Sequence, residues 1–372
     1  MNAPGKPWYL ISNIEAFDTP ALIVYPSRVR ENIITLKSMI DDVKRLRPHV
    51  KTHKTREASR MMMDEGIFKF KCATIAEADM LGAAGAKDVL LAYQPAGPKV
   101  ERLFSLVTNY PATQFSCLVD DLAAAGNIAA AARKKNLSIN VFIDLNTGMN
   151  RTGIATGKAL ALYLRCDELE GINPVGLHVY DGHIHDPDLR TRKRSCDEAF
   201  ESVDELRNAI ISKGLKEPVV VAGGSPSFPI HLLRKNTECS PGTFVYWDAG
   251  YQEQLPEQHF RPAALVISRI ISIPDETTIC SDLGHKSIAA ENVLAKRVRF
   301  LNAPELIPVA QSEEHLVLRT DAGHDYKIGD VLYGLPYHIC PTCALYNEAY
   351  AVNDGKIDGH WEVIARNRKI NY

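Results

Sequence analysis

The stretch Arg47-Pro48-His49-Val50-Lys51-Thr52-His53-Lys54 (RPHVKTHK) sets two amines, two imidazoles and a guanidinium within eight residues. Residues 45–50 can run extended and residues 55–65 read as a helix, so the motif lies where a strand hands over to a helix. Alternate residues of a strand share a face, which points Arg47, His49 and Lys51 one way and Val50 the other. On a face lining a barrel interior, Lys51 would be a partly desolvated amine among cations. Both conditions ease the deprotonation of an amine, and a Schiff-base lysine needs that. A basic strand end touching a phosphate, or a solvated turn, is the commoner origin of such spacing. The rest of the chain has to decide.

Strand and helix patterns alternate around this motif. Residues 21–25 (ALIVY) form a short apolar strand, and Ser27 caps a helix to about Ile40. Strands follow at residues 68–73, 88–93, 115–119, 140–145, 175–180 and 219–222. Helices are expected from Thr74 to Gly85, from Pro98 to about Thr108, over residues 121–135 and over the long charged stretch 188–213. Roughly eight such units in about 230 residues fit a closed, TIM-like (β/α)8 barrel of the α/β class. An open doubly wound sheet is the rival, but no GxGxxG follows any early strand. After about residue 251 the pattern becomes strands and turns: 264–273, 277–282, 298–301, 315–320, 331–335 and 361–365, with turn signals at 321–323 and 353–355. A C-terminal all-β domain of about 120 residues is the expectation.

Composition excludes several classes. With 372 residues, 45% hydrophobic, 24% charged and a net charge of −2, the chain offers nothing to nucleic acid or to an acidic membrane surface. It holds no run of apolar residues long enough to span a bilayer, and residues 1–9 lack both an apolar core and a cleavage site. Eight cysteines scattered over this length do not make a disulfide framework, and most read as buried thiols. A cytoplasmic enzyme with a small-molecule substrate is the default.

Barrel active sites gather where strands end. There the chain places Lys51, then Asn146-Thr147-Gly148-Met149-Asn150-Arg151, then Tyr180-Asp181-Gly182-His183-Ile184-His185, then Gly223-Gly224-Ser225-Pro226-Ser227. Two glycines that admit close backbone approach, with serines and a short helix behind them, outline a phosphate cradle. An amine, a phosphate cradle, an arginine and an aromatic or imidazole are together the parts that hold pyridoxal phosphate. In the β domain, His338 and Cys340 sit at i and i+2 of a segment read as extended, so both would face one side and bind one cation. Thiolate with imidazole suits zinc. A Cys340–Cys343 redox pair is the other reading, and it lacks the helical context expected of such motifs.

With these residues laid out, the chain resembles the D-threonine aldolase and D-serine dehydratase family of fold-type III pyridoxal phosphate enzymes. DTPALIVY, RPHVKTHK, NTGMNRTG, GLHVYDGHIH, AGGSPS, ECSPGTFVYWD, DLGHKS, SEEH and PYHICPT arrive in the family's order and cover nearly the whole chain. The resemblance implies that residues 1–25 pack with the β domain, that residues 26–250 form the alanine racemase-like barrel, and that residues 251–372 carry the metal site. It implies Lys51 as the Schiff-base lysine with His49 beside it, Arg151 near the cofactor's phenolate oxygen and Tyr180 on the pyridine face. Gly223, Gly224, Ser225 and Tyr246 are implied at the phosphate, His338 and Cys340 at the metal, and Glu238 or Ser240 at the pyridine nitrogen. His183 or His185 is the implied general base. The aldolase branch has aspartate where this chain has Cys340, whereas the dehydratase branch has cysteine.

The activity so implied is that of a lyase on a 3-hydroxy-D-amino acid, dependent on pyridoxal phosphate and a divalent metal, with zinc ahead of manganese or magnesium. Cys340 favours β-elimination of water to a 2-oxo acid and ammonia. Retro-aldol cleavage to glycine and an aldehyde is the alternative, and an amino-acid racemase or a non-catalytic cofactor carrier are the readings from other classes. A homodimer is the implied assembly.

Overall fold

The computed structural model describes residues 7–368, so the outermost ends of the expected N-terminal and C-terminal segments lie outside the described residues. The chain divides into two compact units. Of the described residues, one comprises 36–51, 59–242 and 367–368, and the other 7–35, 52–58 and 243–366.

In the first unit, Lys69–Cys72, Asp88–Leu91, Gln114–Val119, Ile139–Asn146, Ile172–Val179, Val219–Ala222 and Thr237–Cys239 pair in parallel, each with the next. Residues 46–50 close the ring. Leu46 bridges to Cys239 and His49 to Lys71. The Arg47 N–H donates to Cys239 O at 2.9 Å, and the Val50 N–H to Lys71 O at 2.9 Å. Pro48 has no N–H to give, so it serves the seam only through its carbonyl, which accepts from the Lys71 N–H at 2.9 Å. With that segment as the eighth strand the barrel is complete. Three of the helices between strands start on side-chain caps: Thr74 accepts from the Glu77 N–H, Asp121 from Ala124 and Asp188 from Thr191.

Register fixes what points inward. Leu90, Leu118, Phe142 and Val221, drawn from four strands, pack into one buried cluster, and burial of each such side chain contributes roughly 1.5–3 kcal/mol. Strand pairing puts Lys71 beside Leu90, and Asp144 beside His178, which in turn pairs with Val221. These residues therefore share the inward face. Toward the strand starts, Arg47 grips Asp88 with two bonds of 2.6 and 2.8 Å and Glu238 with one of 2.6 Å. Lys69 also bonds Glu238. The interior is thus charged toward its N-terminal end, apolar in the middle, and polar again where Asp144, His178 and Lys71 lie.

The second unit is a mixed, mainly antiparallel nine-stranded sheet. Ala21–Val24 lies inside it, antiparallel to Ala264–Asp275 and parallel to Glu348–Asn353. Its core gathers Ile23, Tyr25, Leu265, Ile267, Tyr333 and Leu335. Two strands escaped the sequence reading. Ile307–Gln311 is an edge strand with mostly exposed side chains, so it carries no alternation to detect. Glu348–Asn353 and Lys356–Glu362 form a hairpin about Asp354-Gly355, whereas only residues 361–365 were expected to be extended. Residues Ile364–Asn367 form a 3-10 turn instead. Among the described residues no helix is long and apolar enough to cross a membrane.

Arg47 is 2% exposed, and without Glu238 it keeps its two bonds to Asp88 but loses the one at its Nε. Glu238→Ala is expected to lower stability by about 1.5–3 kcal/mol, the cost of one hydrogen bond to a charged group. Urea unfolding, followed by the far-ultraviolet signal, measures it.

Candidate active site

The strand ends of the barrel unit converge on one ring. Tyr180 follows Ile172–Val179 directly, and around its ring centroid lie Arg151 Cζ at 5.0 Å, Lys51 Nζ at 5.4 Å and Lys71 Nζ at 5.6 Å. Three basic groups around one aromatic ring make a site ready for an anionic, planar ligand. Gly182 makes room for the ring, since a Cβ there would fall 2.5 Å from it. Lys51 is half-buried, and its N–H donates to His49 Nδ1 at 3.2 Å, which settles that nitrogen as an acceptor.

The 223–227 loop is held from beneath. Gly223 N–H donates to Val179 O at 2.9 Å. Gly224 N–H donates to Ser227 Oγ at 3.3 Å, and the Ser227 hydroxyl donates to Asp181 Oδ1 at 2.7 Å. The other Asp181 oxygen meets His231 Nε2 at 2.7 Å, with Cys196 Sγ at 3.6 Å. Gly223 stands at φ +72°, and a Cβ there would come within 2.7 Å of both Ser227 and His231. A side chain at 223 would break this lock. Burial pushes the Asp181 carboxyl up, but the His231 and Ser227 hydrogen bonds outweigh it and hold it below the usual range. Asp181, Cys196 and His231 are the one cluster of three metal-capable side chains among the described residues. Their hydrogen bonds to one another and to Ser227 give them a structural account without an ion. Ser225 Oγ accepts from Gly242 N–H at 3.3 Å. The helix behind the loop, Phe228–His231, is a single turn.

Ser240 follows the last strand and donates its N–H to Ala222 O at 3.2 Å, but its buried hydroxyl has no partner among the described residues. An orphan buried hydroxyl has unmet hydrogen-bonding capacity, which a bound group can satisfy. Glu238, the other candidate for the pyridine nitrogen, is committed to Arg47 and Lys69. His183 and His185 are both exposed on the loop after Tyr180. His183 packs over Gly148, where a Cβ would lie 2.7 Å from its Nε2.

The remaining expected residues lie in the β unit. Tyr246 is buried there, with its ring 6.4 Å from that of His53. The 338–343 segment is not extended as expected. His338 caps a short helix, Ile339–Cys343, because Asp248 accepts the Ile339 N–H at 3.0 Å and turns the chain. The two still act on each other: Cys340 raises the His338 imidazole, whose Nδ1 hydrogen-bonds the Glu291 carboxylate. Thr52 and Thr243 hydroxyls lie 3.1 and 3.6 Å from Cys340 Sγ. Burial pushes the Cys340 thiol up, but the His338 hydrogen bond and charge prevail and lower it. Burial likewise lowers His338, and Cys340 with Glu291 overcomes it, giving about 9. A thiolate–imidazole pair whose far nitrogen rests on a carboxylate is the donor arrangement of a zinc ligand set. Cys343 shares the helix but is fully buried with its thiol pushed well up by burial, so it is a poor redox partner.

Lys71, His178, Asp144, Asp181 and Glu291 were missed by the sequence reading. FKFKCA and GLHVY did hold a signal, since Lys69 and Lys71, like His178 and Tyr180, are two apart and share a strand face.

Fold and site together define an alanine racemase-type barrel enzyme scaffold. Residues 24–249 match the family model of the alanine racemase N-terminal domain, and the chain belongs to that family. Residues 263–352 match the putative serine dehydratase domain. A D-threonine aldolase from Arthrobacter sp. is 26% identical over 98% of this chain and 95% of its own length. A D-threo-3-hydroxyaspartate dehydratase from Delftia sp. is 25% identical over 93% of this chain and 97% of its own. The crystal structure of D-threonine aldolase from Filomicrobium marinum superposes with a TM-score of 0.87 at 26% identity, covering 97% of this chain and 99% of that one.

The Asp181 lock has a pH signature. A carboxyl depressed in the native state contributes stability that is fully present above its unfolded value of about 4 and is lost as pH falls through the lower native value. Wild type is expected to lose stability below about pH 4 more steeply than Asp181→Asn, which is less stable at neutral pH. Urea midpoints measured at neutral and acid pH compare them.

Proposed function

We propose that this chain is a pyridoxal phosphate- and divalent metal-dependent lyase acting on 3-hydroxy-D-amino acids. The observation that carries the reading is the set of Lys51, Arg151 and Tyr180 at the strand ends of a complete barrel, in a chain similar end to end to such aldolases and dehydratases. The residues fit the cofactor. Lys51 supplies the amine, Tyr180 a flat face, Arg151 positive charge beside it, and the 223–225 loop a small-residue cradle for phosphate. The unpartnered Ser240 hydroxyl is the group we assign to the pyridine nitrogen.

Bound there, pyridoxal phosphate supplies an electron sink for negative charge developing at the substrate Cα. His338 and Cys340 would hold the metal, zinc by their chemistry, and a metal so held supplies a Lewis acid for the substrate β-oxygen. The protein's own groups then divide the proton traffic. With the cofactor bound, Lys51 Nζ would be the group that takes the Cα proton for elimination. His183 or His185, exposed on the loop after Tyr180, takes the β-hydroxyl proton for cleavage. Elimination is our primary reading, because Cys340 is a soft donor suited to zinc. Cleavage is the second, favoured by the 26% identity to an aldolase across 98% of the chain. We propose a homodimer in the cytoplasm as the working form.

Product analysis decides between the outcomes. With the metal-replete protein, added pyridoxal phosphate and D-threonine, 2-oxobutyrate with ammonia is the expected result, and glycine with acetaldehyde would establish cleavage instead. Activity is expected to fall at least about tenfold on chelation and in Cys340→Ala. Indifference to both, with interconversion of D- and L-amino acids, would overturn the lyase reading in favour of a racemase.

A further inference from the structure

Beneath Tyr180 runs a buried line that the proposed chemistry leaves unused. Lys71 Nζ lies 3.4 Å from His178 Nε2, and His178 Nδ1 lies 2.7 Å from Asp144 Oδ1. All three residues are at most 5% exposed. Buried charged groups of this kind are costly unless they are paired or used.

The line has a defined proton order. Burial raises the Asp144 carboxyl, but His178, Thr152 and Lys71 outweigh it and keep it ionised. Burial, and then Lys71, lower His178, so its imidazole is neutral at physiological pH. A neutral imidazole carries one N–H. The carboxylate claims it at Nδ1, which leaves the Nε2 lone pair aimed at Lys71. Lys71 thus has an acceptor in place for the added proton of its charged form.

The groups facing Lys71 come from every strand packed around it. Lys51 and Arg47 repel its charge, Asp144 and Asp181 attract it, Arg151 acts on its partner His178, and the Tyr180 face lies 5.6 Å away. Burial exceeds all of these and brings Lys71 down to about 7. Lys51, 5.4 Å from the same ring centroid, is the neighbour whose charge weighs most after burial.

We propose that Lys71 is a positioning residue that accepts the proton Lys51 must lose to become a nucleophile, with His178 and Asp144 stabilising the transferred charge. An N–H bond of the Lys51 ammonium breaks, an N–H bond forms on Lys71, and one positive charge moves between the two amines. The Lys51 nitrogen regains its lone pair for attack on an aldehyde, and no proton leaves the pair. This rests on the reading of Lys51 as the Schiff-base lysine.

The test follows Schiff-base formation rather than turnover. The full-length chain, freed of cofactor, is mixed with pyridoxal phosphate between about pH 6 and about pH 9, and the absorbance change is timed for wild type, Lys71→Met, Lys71→Arg and His178→Gln. Lys71→Met and Lys71→Arg are both expected to slow the reaction about tenfold or more near neutral pH and to approach wild type at the alkaline end. His178→Gln, which keeps the amine, should slow it less. A wild-type rate in Lys71→Met at neutral pH overturns the proposal, and so does restoration by Lys71→Arg, which would show that charge alone suffices. Should the Lys71 variants fail to fold by circular dichroism, His178→Gln and Asp144→Asn carry the same comparison, and wild-type pH dependence in both rejects it. A wild-type protein that gives no Schiff base, or one whose borohydride-reduced label maps away from Lys51, fails the functional reading itself, and the inference falls with it.

Discussion

Arg47 spans the seam where the barrel closes, reaching Glu238 on Thr237–Cys239 and Asp88 on Asp88–Leu91, so that one guanidinium ties together three of the eight strands. The segment that carries it joins its neighbours by isolated bridges, and Pro48 withholds a donor. Side-chain charge supplies what the ladder lacks. Since Lys51 ends this same segment, its position depends on the seam being held from below. A fully buried arginine paired to two carboxylates gives an orientation that hydrophobic contact alone would leave loose.

Much of this was legible in the residues. Alternating strands and helices identify βα units because each element is short, bounded and locally consistent, and the cap at Thr74 was legible, whereas Ser27, expected as a cap, lies inside the helix Pro26–Met39. The strand ends that matter were legible too, since a barrel places them on one rim. Distance was not. Nothing in the spacing of Lys51, Arg151 and Tyr180 states that they share one ring, and nothing states that Glu238 is spent on Arg47 while Ser240 is left over. His338 and Cys340 illustrate the same limit. Their meeting was anticipated from an extended segment, yet it comes about through a helical turn imposed by Asp248, ninety residues earlier in the chain.

The barrel interior also explains why a lysine can be buried so deep. Leu90, Leu118, Phe142 and Val221 separate two charged regions that would otherwise compete for the same counter-ions. Arg47 and Lys69 are neutralised by Asp88 and Glu238 toward the strand starts. Lys71 is left with an imidazole and the more distant attraction of Asp144 and Asp181, in an environment where neither protonation state of the amine is strongly preferred. An apolar layer between two polar ones thus partitions charge as well as filling space.

Asp181 directly follows Tyr180 in the chain and binds Ser227 and His231, so the aromatic face and the small-residue loop are indexed to one another by a single carboxylate. They are therefore one unit of inheritance, although more than forty residues separate them. A loop transplanted from a relative into positions 223–227 would arrive without its anchor unless the residues at 181 and 231 travelled with it. Divergence at this rim should accordingly proceed in matched sets, with the loop and its distant carboxylate changing together or not at all.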